Sequence, residues 1–161
     1  MTIKSEHTFE CGDSIALKAI QYSARWSEET MCFKANLYWN NKKIAYVENQ
    51  GRGGENRITP AMPEHRKLFS EIEKKCSDEL EDSDLSFWCT EQVAKSVFAK
   101  QLKMRVLFKE AGEKGQIIEV SWKGVKKVTS EHVERVRKQH PDATVLNALD
   151  FEEAYKVFST I

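Results

Sequence analysis

The chain has 161 residues, of which 40% are hydrophobic and 31% are charged. This length and balance predict one folded domain, and they exclude a disordered chain and a membrane-embedded one. The 25 Lys and Arg residues equal the 25 Asp and Glu residues, which argues against a protein held to nucleic acid by bulk charge and against a globally acidic DNA mimic.

The cysteines and the N-terminus bear on the cellular compartment. Cys11, Cys32, Cys76 and Cys89 form no C-x-x-C pair and match no zinc or disulfide spacing. The first residues are polar and lack the apolar core of a signal peptide, and no apolar run approaches the length of a membrane span. We expect no membrane association and a cytoplasmic location with four free thiols, in the host cytoplasm if the protein is viral.

The N-terminal third of the chain carries strand signals. Residues 15–20 form a short apolar run that is strand-like, although a helix is not excluded. Residues 31–48 predict a β-hairpin, because Phe33, Ala35 and Leu37 alternate with polar residues and Asn40-Asn41 tolerates left-handed backbone. A loop is expected from Gly51 through Asn56, Thr59 and Pro60.

The middle of the chain predicts two helices and a strand pair. A helix from about 63 to 80 would bury a stripe at four-residue spacing, and a second helix covers 87–102. Residues 105–109 predict a strand that turns at Gly112 to Gly115 and returns through Ile118, Val120 and Trp122.

The C-terminal segment predicts two further helices with a strand between them. Thr129 or Ser130 can cap a helix that ends near His140-Pro141, and residues 143–147 are strand-like. Asp150 with Glu153 forms a capping pair for a last helix. Grouped strands followed by grouped helices indicate an α+β fold, an antiparallel sheet packed against two to four helices. We expect a single domain over 1–161, with a possible subdivision near 77–86.

The glycine-rich loop, Gly51-Arg52-Gly53-Gly54, is one candidate site. Its backbone N–H groups could form a nest for a nucleotide or another small anion, with Arg52 and Arg57 adding charged hydrogen bonds. It matches neither G-x-G-x-x-G nor the P-loop pattern, so a flexible connection after the hairpin is the alternative.

Although its formal net charge is zero, the chain contains two segments of opposite charge. The acidic stretch gathers five carboxylates beyond the end of the first helix, where they oppose the helix dipole. Charge that serves no folding purpose predicts a partner-binding surface, here for a basic protein. The members of the acidic stretch are Asp78, Glu79, Glu81, Asp82 and Asp84.

The basic strip, residues 114–138, is the second segment. Trp122 beside its lysines resembles a base-stacking surface for nucleic acid, and solvated turns with Trp122 in the core are the alternative. Besides Lys114, the residues of the basic strip are Trp122, Lys123, Lys126, Lys127, Arg135, Arg137 and Lys138.

No pattern predicts catalysis, a cofactor or a metal. The four histidines form no H-E-x-x-H or H-x-H motif, and there is no G-x-S-x-G. We therefore expect no catalytic residues, no cofactor and no metal site.

One set of segments resembles a known group of proteins. Ser27–Thr30, Phe33–Tyr38, Lys42–Ala45 and Asn49–Gly54 are similar to small uncharacterised proteins encoded by phages and prophages. The resemblance implies an accessory viral protein that blunts a bacterial defence by binding. The leading hypothesis is thus a non-enzymatic, phage-encoded inhibitor of a host defence complex, acting through protein–protein contact. The alternatives are an anion or nucleotide sponge and a small nucleic-acid-binding protein.

Overall fold

A computed structural model describes residues 3–80 and 84–161. Its packing divides the chain into an N-terminal unit, residues 2–96, and a C-terminal unit, residues 97–161. The two antiparallel sheets and four α-helices confirm the predicted α+β class. That the chain forms a single domain stays a prediction.

The N-terminal unit is built on a five-stranded antiparallel sheet. Its strands follow one another in chain order, each paired with the next. This meander needs only short connections and brings every loop to one of two sheet ends. The strands are β1 (Glu6–Thr8), β2 (Ser14–Ser23), β3 (Cys32–Trp39), β4 (Lys42–Asn49) and β5 (Arg57–Pro60).

The central hairpin confirms the sequence prediction. β3 and β4 are joined by Asn40 and Asn41, with φ of +47° and +65°. Two consecutive left-handed residues form the turn that matches the twist of a hairpin, and Asn tolerates this conformation better than most residues. Phe33, Ala35 and Leu37 are all buried, as their alternation requires.

The edges of the N-terminal sheet were not predicted. β5 lies within the stretch expected to be a loop, and β1 precedes the first expected strand. Each has only three or four residues, too few for a period of two to stand out in sequence. Residues 15–20 lie in a strand rather than a helix, and β2 carries a bulge between Lys18 and Gln21, where Ala19 has φ of +52°.

Helix α1 (His65–Glu79) contacts β4 and β5 and buries Ile72 and Cys76. The predicted helix over 63–80 is confirmed, except that it begins two residues after Pro63. Helix α2 (Leu85–Met104) is longer than predicted and contributes its first part to the N-terminal unit and its last part to the C-terminal unit.

The C-terminal unit has a three-stranded antiparallel sheet with β6 at its centre. Strands β7 and β8 flank it, and Phe108 pairs with both Ile118 and Val145. The elements are β6 (Val106–Lys109), β7 (Ile117–Val120), α3 (Ser130–Gln139), β8 (Thr144–Val145) and α4 (Phe151–Ser159). Thr129 and Asp150 are the N-caps of α3 and α4, as predicted.

Two strands of the C-terminal unit are shorter than predicted. β7 ends at Val120, so Trp122 lies in the following loop. β8 has two residues and continues into a 3-10 turn at Leu146–Ala148. The turn places the Asn147 side chain beside the end of α2, where its Nδ2 donates to the carbonyl oxygens of Leu102 at 2.8 Å and Arg105 at 2.9 Å. Its Oδ1 accepts from Leu107 N at 2.8 Å, so one side chain satisfies three backbone groups.

Candidate functional site

The glycine-rich loop is held by its own chain. Gly51 is buried with φ of +80°, and its carbonyl oxygen accepts from the backbone N–H groups of Glu28 and Glu29, both at 2.9 Å. Gly51 N donates to Asn49 Oδ1 at 2.9 Å, and Gly53 N donates to Thr30 Oγ1 at 3.3 Å. Two of the N–H groups proposed for an anion nest are therefore engaged within the protein.

Of the two arginines in the anion hypothesis, Arg57 is paired with a glutamate of β4. Arg57 Nη1 lies 3.5 Å from Glu48 Oε1, and its side chain is 73% exposed. Arg52 and Gly54 are exposed to solvent. The anion site over Gly51, Arg52, Gly53, Gly54 and Arg57 stays a prediction.

A polar network joins this loop to the start of α2. Asn49 Nδ2 donates to Asn56 Oδ1 at 3.1 Å. Asn56 Nδ2 in turn donates to Ser86 O and to Thr90 Oγ1, both at 2.8 Å. Amide side chains that use both ends in this way fix the distance between two elements. The hydrogen bonds of this network hold the glycine-rich loop and the first turns of α2 at a fixed separation.

A cleft of about 250 Å³ opens over this network. We call it the polar cleft. Sequence reasoning did not find it, because its parts come from three separate segments. Its lining residues are Thr30, Met31, Asn49, Gly54, Glu55, Asn56, Asp84, Ser86, Phe87 and Thr90.

Phe87 stands at the polar cleft with 59% of its surface exposed. It lies in the first turn of α2, and its backbone N–H donates to Asp84 Oδ1 at 2.8 Å. Asp84 thereby acts as an N-cap, and its charge favours the positive end of the helix dipole. Glu55 supplies a second carboxylate to the cleft and is exposed.

The acidic stretch has a structural role that the sequence argument denied. Glu79 Oε2 accepts from Glu10 N at 3.1 Å, and Asp84 caps α2. The premise that these acids serve no folding purpose is wrong for both residues. Asp78 is exposed, and Glu81 and Asp82 lie outside the described residues. Binding of a partner by this stretch stays a prediction.

The basic strip is exposed except at its tryptophan. Lys114, Lys123, Lys126, Lys127, Arg135, Arg137 and Lys138 all face solvent. Trp122 is only partly exposed, packs against the core cluster around Phe108 and Val136, and has its ring centroid 4.5 Å from that of His132. A tryptophan with one face on the core and a histidine beside it does not offer the open platform that base stacking needs.

Clear pKa shifts occur in the N-terminal unit, at Asp13, Cys76 and Cys89. Lys75 Nζ donates to Asp13 Oδ2 at 2.7 Å, and Asn40 Nδ2 donates to Asp13 Oδ1 at 3.0 Å. These two hydrogen bonds lower the pKa of Asp13 from 3.8 to about 2. Burial raises the pKa of the Cys76 thiol to about 12 and raises that of Cys89 as well. Both thiols are therefore protonated and unreactive at neutral pH.

Comparison with known proteins gave no match to any family model, curated protein or solved structure. None of the helices within residues 3–80 and 84–161 combines the length and the hydropathy that a transmembrane span requires. In the same residues, no three or more His, Cys, Asp or Glu side chains are grouped so as to hold a metal ion.

Proposed function

We propose that the chain is a non-enzymatic binding protein that engages a basic surface of a protein partner around Phe87. The observation that carries the proposal is the exposure of this aromatic ring, at 59%, beside a cleft with two carboxylates. Single exposed apolar residues are common and need no explanation. Aromatic residues are, however, enriched at protein interfaces, and Phe87 stands beside a cleft whose base is held by hydrogen bonds.

The chemistry of the polar cleft defines the matching group on the partner. Glu55 and Asp84 attract a cation, and the Phe87 ring face favours a guanidinium or ammonium group lying over it. Asp78, of the acidic stretch, is also exposed and could add to the negative charge that attracts a basic partner. An arginine or lysine side chain of the partner is thus the expected occupant. The resemblance of residues 27–54 to phage proteins supports a defence complex of the host bacterium as the partner, and inhibition as the outcome.

Affinity capture with the whole chain tests the proposal. We expect bait carrying Phe87→Ala to lose a bacterial partner that the unchanged chain retains from defence-carrying cells. Met62→Ala is the matched control, because Met62 is 51% exposed in the same unit and does not line the polar cleft. Capture that is equal for the unchanged chain and the Phe87→Ala variant would refute the proposed surface.

The charge contribution requires a variant that leaves the helix cap in place. Asp84→Ser keeps a capping oxygen and removes the charge, and Glu55→Gln removes the second carboxylate. We expect this pair to slow association with the captured partner by about tenfold at low salt. Glu6→Gln with Glu71→Gln removes the same charge from exposed positions outside the cleft and should leave the rate unchanged. Equal slowing by both pairs would show that only net charge matters.

A further inference from the structure

The loop between β7 and α3 concentrates positive charge without any acid. Lys123, Lys126 and Lys127 are all exposed, and no Asp or Glu lies between Val120 and Ser130. We call residues 123–127 the lysine loop. Gly124 has φ of +81°, and Val125 N donates to Trp122 O at 3.1 Å, so the loop contains a defined turn.

Both ends of the lysine loop are anchored to the C-terminal unit. On one side Trp122 packs against the core cluster and against His132. On the other side Val128 N donates to Lys103 O at 2.9 Å. An anchored loop has already lost most of the conformational entropy that a flexible loop would lose on binding. The backbone that carries its lysines is therefore held in place before any ligand arrives.

The second anchor adds a fourth cation that the sequence did not place here. Lys103 is exposed in the last turn of α2, and its backbone bond to Val128 brings it to the lysine loop. Among the described residues, no carboxylate forms an ion pair with Lys103, Lys123, Lys126 or Lys127.

Helix α3 is a weaker source of positive charge than the loop. Glu131 and Glu134 lie among its basic residues, and Glu134 Oε1 is 3.0 Å from Arg137 Nη1. The C-terminal unit as a whole has twelve Lys and Arg residues against nine Asp and Glu residues. Its excess of positive charge is thus best exposed at the lysine loop and Lys103.

We propose that the lysine loop and Lys103 bind the phosphate backbone of a nucleic acid without reading its sequence. Lysine ammonium groups meet phosphates as point charges, whereas base recognition needs paired donors or an exposed stacking ring. Trp122 is directed to the core and supplies no such ring. The loop exposes no large apolar side chain, which makes a membrane surface or a protein interface a poorer match. This surface shares no residue with the polar cleft.

Fluorescence anisotropy with labelled single-stranded and duplex DNA of unrelated sequences tests the assignment. Three or four phosphate contacts predict that log K falls with log salt with a slope of about −3 for duplex DNA. The sequences should bind equally. Lys126→Glu with Lys127→Glu should weaken binding by at least about tenfold in low salt, since two contacts become repulsive.

The matched control is Lys109→Glu with Lys156→Glu. It makes the same change of charge in the same unit, outside the loop, and should alter binding by no more than about twofold. Equal weakening by the two pairs would overturn the proposal, as would the absence of DNA binding at about 50 mM salt. Binding of phosphatidylserine vesicles that needs Lys126 and Lys127, without binding of DNA, would overturn it in favour of a membrane surface.

Discussion

Replacing Gly51 by alanine should destabilise the N-terminal unit more than any other glycine substitution in this loop. Gly51 is buried with φ of +80°, and a Cβ there would overlap the carbonyl oxygen of Trp26 and come within 2.9 Å of Cys32 Cβ. The left-handed backbone costs an alanine about 1–2 kcal/mol. Alanine also lowers the conformational entropy of the unfolded chain, which offsets about 0.4–1 kcal/mol of this cost.

The steric overlap adds the larger part of the cost. Trp26 lies two residues before Glu28, whose backbone N–H, like that of Glu29, donates to Gly51 O. If the Trp26 backbone moves away to make room for the Cβ, these two hydrogen bonds are strained. Overpacking of this kind costs about 1–3 kcal/mol, and each hydrogen bond lost costs about 1 kcal/mol more. We expect Gly51→Ala to lower the free energy of unfolding by about 2–4 kcal/mol.

Urea denaturation followed by tryptophan fluorescence measures this change, because Trp26, Trp39 and Trp88 all lie in the N-terminal unit. Gly54→Ala is the control. Gly54 has φ of +87°, but no atom lies within 4 Å of its added Cβ, so it reports the backbone cost alone. If the two variants differ by less than about 1 kcal/mol, the steric argument is refuted.

Three further predictions concern other parts of the chain. The pKa of Asp13 is lowered from 3.8 to about 2, so its contribution to stability is complete above the unfolded value and is lost as the pH falls from about 4 to about 2. Asp13→Asn should remove this part of the acid dependence in urea titrations from about pH 2 to 5, and an unchanged profile would contradict the pairing with Lys75. Phe98→Ala should cost the C-terminal unit about 3–5 kcal/mol in thermal or urea unfolding, because the ring is 1% exposed and contacts three other aromatic rings; a cost below about 1 kcal/mol would mean that the ring is not part of the core. Cys11, which is exposed, should react with a thiol reagent at neutral pH, whereas Cys76 should react only after unfolding; equal rates would show that Cys76 is accessible.

The sequence predicted those elements whose signal is local. Strict alternation identified the β3–β4 hairpin, and Asn40-Asn41 identified its turn. The caps at Thr129 and Asp150 were visible because capping depends on residues three positions apart. The edge strands β1 and β5 were missed, because strands of three or four residues are defined by their pairing partner rather than by their own pattern.

The candidate sites depended on contacts that sequence does not display. The polar cleft needs Asn56 to bond residues 30 and 34 positions away. Glu79 was taken as free charge because Glu10, which donates to it, lies 69 residues earlier in the chain. Lys103 lies beside the lysine loop because its backbone carbonyl accepts from Val128 N. A backbone hydrogen bond of this kind cannot be predicted from a pattern of side chains. Local charge runs were visible, but what each charge does in the fold was not.

The bulge in β2 affects how copies of this protein behave toward one another. β1 pairs with β2 only over Ser14–Ala16, and Leu17 N reaches Ser5 O. Among the described strands, none covers the outer side of β2 from Lys18 onward. An open edge of this kind invites a strand from another molecule and, by repetition, fibrils. The left-handed backbone at Ala19 interrupts the regular spacing of N–H and C=O groups, so an incoming straight strand cannot follow the edge in register. The irregularity thus protects against self-association along the part of β2 that no described strand covers.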